Sequence, residues 1–99
     1  MNYLQEVVGK LRSRIGEDAL PPDHVDELLR IYAVLCLTVG EACSPQNVHD
    51  AWSAWMTGIN PGHESVVPFD QLSQAVQLED LPYLNAIHDV SVEVDSPAS

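Results

Sequence analysis

Along the first third of this chain apolar residues recur at spacings of three and four. Leu4, Val7, Val8, Leu11 and Ile15 fall on one stripe of a helix running from roughly Tyr3 to Ile15. Gly9 weakens that helix and Gly16 stops it. Glu17 to Pro22 reads as a connection, because Pro21 and Pro22 cannot extend a helix already under way. A second helix follows, with Asp23 as its expected N-cap and Asp26 and Glu27 in its first turn. Its apolar positions are Val25, Leu28, Leu29, Tyr32, Leu35, Cys36 and Val39. Past Arg30 the run IYAVLCLTVG is apolar on nearly every side, which marks a central core helix ended by Gly40.

Ser44-Pro45 is a strong start signal, since a serine side chain caps an orphan backbone N–H and proline in the first turn sacrifices no hydrogen bond. It predicts a third helix over Pro45 to Thr57, with Val48, Ala51, Trp52, Trp55 and Met56 on one face. Gly58 and Asn60-Pro61-Gly62 force a turn after it. The β-branched pair Val66-Val67 before Pro68 disfavours helix and predicts a short extended segment near 64–68. Ser73 or Asp70 then caps a short helix carrying Ala75, Val76 and Leu78. Asp80 caps a last one with Pro82 in its first turn and Tyr83, Leu84, Ile87 and Val90 as its stripe. The pattern predicts an all-α fold, four to five helices around one core over residues 1–90, with a flexible tail over 91–99 where periodicity is lost.

Ninety-nine residues suit one domain with a single modest core, and 45% hydrophobic content excludes a chain disordered throughout. Charge changes the picture more. Lys10, Arg12, Arg14 and Arg30 are the only basic residues, whereas residues 31–99 hold nine carboxylates and no Lys or Arg. Direct nucleic-acid binding and anionic-membrane binding both need clustered basic residues, so both are excluded as expectations. Lys10, Arg12 and Arg14 sit where the first helix ends, where its dipole favours positive charge. No apolar run approaches the roughly 20 residues that cross a bilayer. The stretch MNYLQEVVGKLRSR is no signal peptide, and the expectation is a cytoplasmic protein. Cys36 and Cys43, about two helical turns apart, read as free buried thiols rather than a disulfide.

Candidate chemistry is sparse. Trp52 and Trp55, on adjacent turns, either fill the core or wall a site for a flat ligand or a partner. His24, His49, His63 and His88 lack metal-ligand spacing, so no metal and no cofactor is expected; His49 and His63 read as hydrogen-bond donors to backbone or carboxylate. Glu79 and Asp80, if helical, would diverge by about 100° rather than share a site. No nucleophile motif or phosphate loop occurs, and the chain is expected not to be an enzyme.

The segments HDAWSAWM and HESVVPFDQLSQAVQLEDLPYLNAI together resemble the RyR domain, the repeated module of ryanodine receptors. His49 and Trp52 match its His-x-x-Trp helix; His63, Val67, Pro68, Phe69, Asp70 and Leu72 match its second motif; Glu79-Asp80 match its third. Glu64 replaces the usual proline, and Leu81-Pro82 replaces the usual basic residue. The N-terminal half looks like small uncharacterised proteins of actinobacteria and their phages. The RyR resemblance implies a non-catalytic binding module that takes a nucleotide-like small ligand or a host protein, acting in the host cytoplasm if phage-encoded. It implies a site at Trp52 or Trp55, His63 and Pro68-Phe69-Asp70, closed by Tyr83. The alternative is an acidic decoy that mimics nucleic acid and blocks a basic surface of a host protein. The second helix is apolar enough to predict homodimerisation as well.

Overall fold

The computed structural model describes residues 2–94 and is built from helices, with no strand among the described residues. α1 spans Tyr3–Ile15, α2 Val25–Thr38, α3 Pro45–Thr57 and α5 Leu81–Val94, while α4, Gln74–Leu78, is a single short turn and a half. Three 3₁₀ turns, Glu17–Ala19, Gly40–Ala42 and Phe69–Gln71, fill the connections. α2 lies at the centre and packs against α1, α3 and α5.

Local chemistry sets most of the boundaries. Asn2 and Gln5 form a reciprocal capping box at the start of α1, at 2.9 and 3.0 Å, and Ser44 with Asn47 does the same for α3 behind Pro45. Ser73, not Asp70, caps α4 by accepting from the Val76 amide. Asp23 does not cap α2, contrary to the sequence expectation. His24 takes that position in the left-handed region (φ 57°), and its side chain makes no cap bond. Its carbonyl is instead occupied by the Trp55 indole N–H at 2.9 Å, a tertiary contact that local propensity does not encode. The segment near 64–68 carries a turn, with the Val66 amide on the His63 carbonyl, before Pro68 extends at ψ 145°.

The core consists of Leu11, Leu28, Leu29, Tyr32, Ala33, Val48, Ile87 and Val90, all essentially inaccessible, with Trp55 and both cysteines at its margin. Each large aliphatic so buried contributes roughly 1.5–3 kcal/mol. The expected tail over 91–99 needs correction for its first four residues: α5 continues to Val94, and Ser91 is buried. Its hydroxyl donates to the Ile87 carbonyl of its own helix at 2.6 Å, so burial leaves no unsatisfied group. Residues 95–99 lie outside the described residues. Across the surface, Arg14 meets Glu93 at 2.6 Å and Asp89 at 3.7 Å, and Arg12 pairs with Asp26, so α1's basic end ties it to α5 and α2. No helix among the described residues is long and apolar enough to cross a membrane.

Candidate functional site

α3 presents His49 and Trp52 on one face, three residues apart. His49 is only 3% exposed and donates its Nε2–H to the Val67 carbonyl at 2.6 Å, so a helix side chain holds down the irregular segment after α3. The Trp52 indole stacks on that imidazole, with centroids 5.8 Å apart and planes 19° apart, and Phe69 leans on the imidazole at 6.1 Å. His63 meets Trp52 edge-on at 5.2 Å. Its Nδ1 accepts the Ser65 amide at 3.0 Å, which puts the proton of the neutral ring on Nε2. His63 is thus an acceptor to backbone where a donor was expected.

The facing wall comes from Val76 of α4, Glu79 and Asp80 in the turn that follows, and Tyr83 in the first turn of α5. Together with His49, Trp52, His63 and Ser65 they enclose a pocket of about 280 Å³. Glu79, exposed, and Asp80, partly buried, both line this pocket, where the sequence reading expected them not to share a site. No side-chain cap from Asp80 onto α5 occurs; its backbone carbonyl accepts the Leu84 amide at 3.0 Å. Tyr83 donates its hydroxyl to the Ala19 carbonyl, and its ring lies 5.5 Å from that of Tyr32. Tyr32 is fully buried, and its hydroxyl has no hydrogen-bond partner among the described residues.

Electrostatics here favour neutral forms. Burial raises the Asp80 carboxyl above its ordinary value, while the nearby His49 imidazole acts against that rise and Glu79 adds to it. Burial likewise pushes the Tyr32 phenol far up, with Asp80 the next contributor, and raises Tyr83 for the same two reasons. No Lys or Arg lines the pocket.

Of the residues singled out in the sequence, Trp52, His63 and Tyr83 come together at this pocket, and Phe69 stands behind His49. Trp55 does not join them. Its ring packs into the core, where it is 9% exposed, with the indole N–H on the His24 carbonyl. Asp70 is exposed and outside the lining; Pro68 is exposed too and edges a shallower hollow with Asp50 and Ser53. The sequence reading missed Ser65, Val76, Glu79 and Asp80 and assigned His49 only a structural hydrogen bond. The three-residue spacings His49 to Trp52 and Asp80 to Tyr83 were the available signal.

A family model, Domain of unknown function (DUF7701), matches residues 2–92. No curated protein and no solved structure matches the chain. The match corrects the resemblance to RyR domains. It is to a different family and takes in nearly the whole chain, whereas the RyR-like pattern rested on roughly residues 49–87. The residues that carried that pattern seat an irregular segment on a helix. His49 holds Val67, Trp52 and Phe69 pack on His49, and Gln77 Nε2 donates to the Phe69 and Leu72 carbonyls.

Proposed function

The chain belongs to this family of unknown function, and from its pocket we propose that it is a non-catalytic binding module for a small, flat ligand. The observation that carries the reading is the gathering of Trp52, Tyr83, His49, His63 and two carboxylates around one cavity of about 280 Å³. Polar groups converging in a partly aromatic hollow are the usual make-up of a small-molecule site, and such sites span roughly 300–1,000 Å³. This one has room for a ring system or head group rather than a whole nucleotide. Glu79 and Asp80, unopposed by Lys or Arg in the lining, would repel phosphate. Of the nucleotide-like reading, only stacking of a base retains support.

A non-catalytic role is supported by the thiols. Cys36 is buried and its thiol is pushed up to about 11, and burial also raises Cys43, so neither is a ready nucleophile. The decoy reading needs carboxylates gathered on an open face. Asp89 lies beside Arg14 instead, and Asp80 is partly buried.

The test is a thermal-shift screen of flat heterocycles against the protein and its Trp52→Leu variant. A true ligand at a hundredfold excess over its Kd stabilises the native state by about 2.7 kcal/mol and leaves the variant unshifted. Compounds that stabilise both proteins equally would move the site elsewhere. A second reading, association with another protein chain through α2, is favoured by the exposed apolar Val34 and Leu37 on that helix.

A further inference from the structure

Resting on the pocket reading above, we infer that the ligand is a small organic cation with a planar amidinium or guanidinium head, seated against Asp80 and Glu79 between the rings of Trp52 and Tyr83. The pocket holds two carboxylates, and no side-chain hydrogen bond or ion pair among the described residues ends on either of them. The chain's cations are elsewhere: Arg12 is beside Asp26, Arg14 beside Glu93, Lys10 and Arg30 line other hollows. The titratable groups that act on Asp80 are His49, Glu79, Tyr32 and Tyr83, and none is a permanent cation. His49 already spends its Nε2–H on Val67.

A partly buried carboxylate without a partner is costly, and the cost is removed when a charged donor arrives. A planar cation suits this site best. Its paired N–H groups can bind a carboxylate bidentately while its face lies against an aromatic ring, an arrangement that a compact ammonium does not reproduce.

The experiment uses ¹H–¹⁵N spectra of the wild-type protein titrated with benzamidine, its neutral isostere benzamide, and AMP. The two indole signals separate the sites, since Trp55 is in the core on the His24 carbonyl and Trp52 lines the pocket. Saturable movement of the Trp52 signal by benzamidine is expected, with benzamide at least about tenfold weaker and AMP weaker still. Asp80→Asn, or Glu79→Gln as the second variant, should reduce benzamidine affinity by about tenfold while the dispersed spectrum reports a retained fold. Equal binding of benzamide and benzamidine, or stronger binding of AMP, would overturn the cation inference and leave the pocket reading standing. A Trp52 signal that no compound moves would overturn both.

Discussion

Asp80 shows how a single residue can work against the fold that carries it. Partial burial raises its carboxyl, so the folded state holds its proton more tightly than the unfolded chain does. Its contribution to stability is therefore fully present below the ordinary aspartate value of about 3.9 and is lost as pH rises through the raised folded value. Asp80→Asn should flatten that stretch of the stability–pH curve and leave the protein slightly more stable at pH 7. The gain should be well under about 1 kcal/mol, because a partly exposed group is screened by solvent. Urea melts of both proteins between pH 4 and 7 check this, and a variant less stable at pH 7 would mean that the fold uses the charge. The residue's role was hidden in the sequence. Two adjacent carboxylates read as helical neighbours that do not share a site, whereas both residues line one cavity where α4 gives way to α5.

At the scale of elements, most of the fold could be read from periodicity and caps. α1 stops at Gly16, and α3 starts at Ser44-Pro45 and stops at Gly58, as those signals predict, while the Asn2 cap of α1 emerged only in the structure. The two long helices that differ from expectation do so through contacts remote in sequence. Trp55 reaches across to hold His24 in a left-handed turn ahead of α2, and Ser91 buries against the Cys36 backbone, so α5 runs a turn longer. That seam between α2 and α5 is tightly closed, with Ile87 fully buried and its carbonyl receiving both the Ser91 hydroxyl and, at 3.7 Å, the Cys36 thiol. Ile87→Ala should cost about 2–5 kcal/mol, the range for emptying a closed aliphatic site. Chemical denaturation monitored by circular dichroism measures it, and a loss below about 1 kcal/mol would show that the seam collapses to fill the gap.

For the molecule as a whole, the apolar character of α2 exceeds what the three packed neighbours cover. Val34 and Leu37, one turn apart, remain 47% and 39% exposed. A second copy of the chain burying that stripe is the simplest way to remove it from water. Sedimentation equilibrium should find a dimer that Leu37→Lys converts to monomer without loss of helicity. A wild-type chain that stays monomeric at high concentration would leave the stripe as ordinary surface. The family-scale reading failed for a related reason: a motif of some forty residues reports local packing, and membership is carried by the frame of the whole chain.

Beyond the backbone bonds that continue the end of α3, the irregular stretch from 58 to 68 is held to that helix by the His49–Val67 bond and by His63 packed edge-on against Trp52. It contributes no residue to the fully buried core. The frame and the pocket's outer wall can therefore diverge at different rates. A substitution at His63 or Ser65 would redraw that wall and leave the buried frame as it is, so long as the imidazole at position 49 keeps its hold on Val67.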